Sequence, residues 1–317
     1  MSIRQDGTGP RGGAPPGPTG GSDAVTAGLA QLSALERDLC GAALRSFGVT
    51  AGQLSEREQA QLDADGFTIL PGVLSPAEIA AMNARLDEAI TVARDLCGTD
   101  PRRNPFPRYA AFEDDEIVLK DLVNWGPEFD IAISHPRVLA AVQAVLGDNL
   151  KLSYLHMRQP APGAGHQDLH LDTYEDPAVH PVHYFCNTIW MLDDFTEESG
   201  PTRFVPGSHR RGVDPGTAMG DAYADHPDQV LATGPAGSVI VFDGHVWHGG
   251  TRNRSGARRR GLFSAWVHRG SYPIEDQRKM LRPDTYARLD DPRRFLLDVH
   301  GALPLEPPDM FVRYSID

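Results

Sequence analysis

Beyond residue 148 the chain is written in short segments of β-branched and aromatic residues, each closed by Gly, Pro, Asn or Asp, and few architectures accept such a pattern. Strands are expected near 150–158, 183–192, 202–206, 237–242 and 261–268, with no helical period between them. Short strands in that number close on one another as a sandwich or barrel, because each buries its apolar face only against a second layer. The expected fold class is mainly β with flanking helices, with a jelly-roll barrel at its core.

The helices come first. A short apolar strand, Phe67-Thr68-Ile69-Leu70, leads to Ser75-Pro76-Ala77-Glu78, a capping box with proline at the first helical position. Ile79, Met82, Leu86 and Ile90 then recur at steps of three and four and lay an apolar stripe along one side. A second helix is expected from Ser134-His135-Pro136 to the stop signal Gly147, with Val138, Leu139, Val142, Val145 and Leu146 turned to a core. Both would pack outside the barrel. Residues 1–22 hold too few large apolar side chains to offset the entropy of ordering, so a disordered tail is expected there. Gly7, Gly9 and Gly12 in that tail spell GxGxxG, but no strand precedes them and Pro10 interrupts the helix that a nucleotide site needs. The remainder reads as one domain over 23–317: a helical part to about 148, the jelly-roll core over about 149–270, and a C-terminal extension over 271–317.

Acidic residues outnumber basic ones by 43 to 30, a net charge of -13 that disfavours a nucleic-acid groove or an anionic membrane as partner and favours a small molecule. No run approaches the roughly 20 apolar residues of a membrane span, and the N-terminus lacks the apolar stretch of a secretory signal, so a cytoplasmic protein is expected. Cys40, Cys97 and Cys186 are an odd set without CxxC spacing, which suits neither a disulfide framework nor a thiolate zinc site.

Twelve histidines are available for chemistry. Three of them open a His-x-Asp pattern: His166/Asp168, His170/Asp172 and His226/Asp228. A histidine and carboxylate so spaced, joined by a distant histidine, make the facial triad of non-haem iron oxygenases. The pattern recurs by chance, so context has to decide. A later segment, Phe242-Asp243-Gly244-His245-Val246-Trp247-His248, follows an apolar run and offers the distant ligand, whereas His226 and Asp228 lie in a polar stretch too close to it.

Four motifs stand in order along the second half: Pro162-Gly163 leading into Gln167-Asp168-Leu169-His170-Leu171-Asp172; Trp190-Met191-Leu192-Asp193-Asp194 running to Gly200-Pro201; Val205-Pro206-Gly207-Ser208-His209; and Gly237 to Asp243 with His248, Asn253 and the arginines at 258–260. Together they resemble the phytanoyl-CoA dioxygenase family of iron(II)/2-oxoglutarate oxygenases, over about Asp65 to Val267. The resemblance implies a double-stranded β-helix, the cupin-like form of the jelly roll. Position by position it implies iron ligands at His170, Asp172 and His248, with 2-oxoglutarate and dioxygen as cosubstrates. His166/Asp168 is the rival pair, because His-Gln-Asp is a family variant, and His245 is the rival of His248. Strand alternation favours the later pair by putting His170 and Asp172 on one face.

The same resemblance implies Arg259 against the distal carboxylate of 2-oxoglutarate, where a guanidinium fork binds bidentately. Arg258 and Arg260 are the alternatives, pointing to the opposite face. Relatives often carry a hydroxyl two positions after the distal histidine; here that position is Gly250, and Thr251 is the expected substitute. Trp190 is expected to line the cosubstrate pocket, and Tyr174 and His156 the substrate pocket. His209 in its Gly-Ser-His turn is expected to be structural, and the acidic run Glu113 to Glu116 a solvated face. Three protein ligands leave three positions open on an octahedral iron. The implied reaction is hydroxylation of an unactivated carbon of a small molecule, a secondary-metabolite intermediate or an amino-acid-like compound, with release of succinate and CO2. Desaturation, cyclisation or epimerisation are variants of the same chemistry, and a non-catalytic metal-binding barrel is the alternative from another class. Asp172 disfavours halogenation, since halogenating relatives replace this carboxylate with a small residue.

Overall fold

The structure, a computed structural model, describes residues 21–97, 110–112, 115–173 and 184–300. The GxGxxG segment, Tyr174, His180 and His183 lie outside the described residues. The chain divides into two compact units, Met1–Leu39 and Cys40–Asp317. Its elements run α1 (Gly21–Ser46), α2 (Glu56–Asp65), β1 (Phe67–Leu70), α3 (Pro76–Cys97), β2 (Ala110–Phe112), β3 (Glu116–Leu119), α4 (Ile131–Ser134) and α5 (Pro136–Leu146). There follow β4 (Leu150–Pro160), β5 (Phe185–Met191), β6 (Thr202–Phe204), α6 (Pro215–Met219), β7 (Val230–Leu231), β8 (Val239–Asp243), β9 (His248–Gly250) and β10 (Gly261–His268). Three short helices close the described chain: α7 (Gln277–Met280), α8 (Pro283–Arg288) and α9 (Asp291–Leu296).

Seven strands form one antiparallel sheet in the order β1-β8-β5-β10-β4-β3-β2, and three form a second, β7-β6-β9. This is a jelly roll, mainly β with flanking helices. The central strands β5, β8 and β10 are buried along almost their whole length because both their faces are covered. On β5 and β8, Ile189, Met191, Ile240 and Phe242 point into the barrel with Phe204 and Phe195. Their neighbours Trp190, Val239 and Val241 point out, to the core shared with α3 and α5. On α3 the stripe expected from the sequence is in place, with Met82, Leu86 and Ile90 buried.

The second sheet is built differently. Its strands hold only two or three residues each, and it gains a fourth member from the stretch 167–172. His170 and His248 exchange backbone hydrogen bonds of 2.9 Å in both directions, and Gln167 N donates to Gly250 O at 2.9 Å. Leu169 and Leu171 turn outward to Trp247 and Val205, which leaves His170 and Asp172 facing inward. The approach is so close that a Cβ on Gly249 would stand 2.5 Å from Asp168 O, and one on Gly250 would collide with Gly165 O. Glycine follows His248 twice because the stretch 165–168 lies directly upon it.

Several elements went unread in the sequence, among them α1, which opens at Gly21 inside the expected tail, α2, whose Ser55 and Glu58 form a reciprocal capping box, the strands β2 and β3, and the short helices α6 to α9. Cys40 and Cys186 are free and buried. Among the described residues, no single helix is long and apolar enough to cross a membrane.

Candidate active site

The ligand atoms of His170, Asp172 and His248 all lie within 4.8 Å of one another. His248 Nε2 stands 3.3 Å from Asp172 Oδ2, and His170 Nε2 stands 3.8 Å from Asp172 Oδ1. Both imidazoles present Nε2 because their other nitrogen is committed: His170 Nδ1 faces Asp168 O at 2.9 Å and His248 Nδ1 faces Val246 O at 3.0 Å. A carbonyl only accepts, so each Nδ1 carries the proton and each Nε2 offers a lone pair. Phe242 and Phe204 pack against the His248 ring at 4.7 and 5.9 Å between centroids. The stretch carrying His170 and Asp172 is a bridge and a bend rather than the regular strand expected, yet the alternation survives because β9 templates it.

Burial lowers the His170 pKa, helped by His248, and keeps that ring neutral. For Asp172, burial works upward, but the charge and hydrogen bond of His248, with His170 and Asn187, bring the carboxyl net below its usual range. His248 moves up, since Asp172 outweighs the burial that opposes its charge. A divalent cation bound by both Nε2 atoms would meet the same carboxylate, and two imidazoles with one carboxylate on one side of a cavity suit Fe(II).

The triad lines a small cavity of about 70 Å³ with Tyr154, Asn187 and Phe263. A second cavity of about 160 Å³ holds Arg259, Glu116 and His166, and Arg158, Gln167, Thr202 and Phe263 line both. Arg259 is 3% exposed, lies over the Phe195 ring at 4.7 Å, and has a buried Nε without a hydrogen-bond partner among the described residues. Burial lowers its pKa to about 10, with Arg158 adding repulsion. Such a cation is incomplete without an anion, and a carboxylate fits it.

Its neighbours point elsewhere, as strand alternation required, although residues 258–260 precede β10 rather than belonging to it. Arg260 donates to Asn83 Oδ1 and Asp87 Oδ1 on α3, each at 2.8 Å, and Arg258 lies within ion-pair distance of Asp87 and Asp193. The rival ligands lie outside the His170, Asp172 and His248 cluster. His166 lies beside Tyr223, Asp168 supplies its carbonyl to His170, and His245 Nδ1 meets Asp243 Oδ1 at 2.9 Å.

Four expectations need correction. Trp190 is wholly buried on the helix-facing side of β5, where Nε1 donates to Thr188 Oγ1 at 2.8 Å, so it is core rather than cavity wall. Thr251 spends its hydroxyl on Pro201 O at 2.6 Å and lines neither cavity. His156 lines neither as well: it shares a β4 face with Tyr154 and Arg158 and is paired with Glu275 at 2.8 Å. Glu116, read as a solvated face, instead grips Arg158 bidentately at 3.0 and 2.7 Å.

Several site residues escaped the sequence reading. Gln167 Oε1 accepts from Gly250 N at 3.0 Å, and buried Arg203 donates to Gln167 O at 2.8 Å, bracing the ligand stretch from behind. Thr202 sits across β6–β9 from Gly250. Gln167 was legible from its place three residues before His170; Arg203 and Thr202 carried no periodic or motif signal of their own.

The family model for phytanoyl-CoA dioxygenase (PhyH) matches residues 62–261. The chain belongs to this family. Dioxygenase af480 of Aspergillus fumigatus is 30% identical over 67% of this chain and 66% of its own length. The Fe(II)/2-oxoglutarate-dependent dioxygenase nvfF of Aspergillus novofumigatus is 30% identical over 60% and 63%. This dioxygenase therefore spans just under two thirds of those relatives' lengths. Among solved structures, HygX from Streptomyces hygroscopicus, with nickel and 2-oxoglutarate bound, shares the fold at a TM-score of 0.54 and 18% identity, over 80% of this chain and 97% of its own. The enzyme is a 2-oxoglutarate-dependent non-haem iron dioxygenase whose cofactor is Fe(II) and whose cosubstrates are 2-oxoglutarate and dioxygen.

Proposed function

We propose that this dioxygenase hydroxylates an unactivated C–H bond of a small secondary-metabolite or amino-acid-like molecule in the cytoplasm, using iron held by His170, Asp172 and His248. The observation that supports this most is the pairing of that triad with an unsatisfied, buried Arg259 at the far end of adjoining cavities. Iron bound there supplies dioxygen activation coupled to decarboxylation of 2-oxoglutarate to succinate. The chain's own work is placement. Arg259 anchors the distal carboxylate, and its Phe195 platform keeps the guanidinium aimed while excluding water. Gln167 and Thr202 border the path between anchor and triad, and Phe242, Phe263 and Ile189 give the cavity a dry wall. Asp172 occupies the position that halogenating relatives leave small, which favours hydroxylation.

Anaerobic titration of the metal-free protein with iron(II) and then 2-oxoglutarate tests the reading through the weak visible charge-transfer band of the chelate. The band is expected in wild type and in Asp168→Ala, and is expected to be lost or altered in Asp172→Ala and Arg259→Ala. A folded wild type that takes up iron and develops no band would overturn the reading.

A further inference from the structure

Asp172 is not left to the metal alone. Its Oδ2 receives a hydrogen bond of 2.6 Å from Asn187 Nδ2 and stands 3.3 Å from His248 Nε2, while Oδ1 stands 3.8 Å from His170 Nε2. Asn187 sits mid-strand on β5, paired to Phe242 on one side and Ala265 on the other, so its Cα is fixed by two ladders. Asp172 itself lies at a bend outside any regular strand, tied by one backbone hydrogen bond of 2.8 Å to Gly244 O. The direction of the amide is also fixed, because turning it over would set its carbonyl oxygen against a carboxylate oxygen. The cost is visible: Asn187 is 3% exposed and its Oδ1 has no hydrogen-bond partner among the described residues. An unsatisfied acceptor on the wall of the triad cavity is tolerated where the other half of the group does something that an apolar residue could not.

We infer that Asn187 is a positioning residue that holds Asp172 by Oδ2 and so fixes the orientation in which the carboxylate meets iron. A carboxylate free to rotate would bind through both oxygens and consume a coordination position that 2-oxoglutarate or dioxygen needs. One amide donor therefore keeps three positions open rather than two. This inference rests on the triad holding the metal, as proposed above.

The test uses full-length protein with Co(II) as probe, following its visible ligand-field spectrum and dissociation constant with and without 2-oxoglutarate, in wild type, Asn187→Ala and the near-isosteric Asn187→Leu. Thermal unfolding of the metal-free proteins selects the variants that fold. Either variant is expected to bind Co(II) about 10- to 100-fold more weakly, or to shift the spectrum toward a changed coordination number that 2-oxoglutarate no longer perturbs as in wild type. A purely structural role would lower the unfolding temperature and leave the spectrum alone. Wild-type uptake matched in affinity and spectrum by a folded variant would overturn this inference and spare the triad. Failure of wild type to bind Co(II) would overturn both.

Discussion

The two sheets of this barrel solve different problems. The seven-stranded sheet is long and, on its helix-facing side, largely apolar and redundant, with Trp190, Val239, Val241 and Trp266 each wholly buried among many neighbours. The three-stranded sheet has almost no length, and what fixes it is contact between backbones: the His170–His248 bridge, the glycines at 249 and 250, and the brace of Arg203 on Gln167 O. The first stores stability in burial, which tolerates small displacements; the second stores geometry, which does not.

Substitutions separate these roles, and the largest effect is expected at Trp190. Trp190→Ala should cost about 3–5 kcal/mol in urea unfolding, as for other buried aromatics cut to alanine. Trp190→Phe should leave the KM for 2-oxoglutarate within about two-fold of wild type, since strand alternation places the ring on the helix side. A KM raised ten-fold in a folded Trp190→Phe protein would move this residue into the site and break the division. Gly249→Ala is the mirror experiment. Its methyl meets backbone rather than a yielding side chain, so overpacking should cost about 1–3 kcal/mol. More tellingly, it should abolish the iron–2-oxoglutarate band by pushing Asp168 and His170 off β9. Retention of the band would show that the second sheet is as tolerant as the first.

On the scaffold side, Glu58 joins α2 to α5. It accepts from Ser55 N at 2.8 Å and is paired with Arg137. Burial alone would raise its pKa, but the Ser55 hydrogen bonds and Arg137 hold it below the ordinary glutamate value. A carboxyl depressed in the folded state stabilises the protein above its unfolded pKa, and that stability is lost as pH falls through the folded value. Glu58→Gln keeps an acceptor for Ser55 N and loses the charge facing Arg137, so it should cost about 0.5–1 kcal/mol at pH 7 and less at pH 3. Urea midpoints at the two pH values check it; an equal loss at both would assign the effect to packing.

The scaffold was legible because burial leaves a period. The strand near 261–268 and the helix ending at Gly147 stand where alternation and stop signals put them. The short β9 has no period to read, yet motif order singled out His170, Asp172 and His248, whose ligand atoms the fold brings within 4.8 Å of one another. What escaped were residues whose role comes from a neighbour distant in sequence. Trp190 looked like a pocket residue because its motif company is functional, although alternation with Ile189 and Met191 already turned it outward. Glu116 looked solvated because its partner, Arg158, is brought to it only by the β3–β4 pairing.

The hydroxyl expected beside Arg259 gives the smallest and sharpest test of the same point. Counting along the chain from His248 reaches Gly250 and then Thr251, whose hydroxyl is spent on Pro201 O. Counting across the sheet from Gly250 reaches Thr202, which is buried and borders both cavities. If the second carboxylate contact has moved from β9 to β6, Thr202→Val removes one hydrogen bond of about 1 kcal/mol and raises the KM for 2-oxoglutarate about five-fold. Thr251→Val should leave that KM unchanged while loosening the Pro201 turn. The reverse pattern would return the hydroxyl to the strand that carries His248, and with it the view that one linear motif, rather than two strands in register, builds the cosubstrate site.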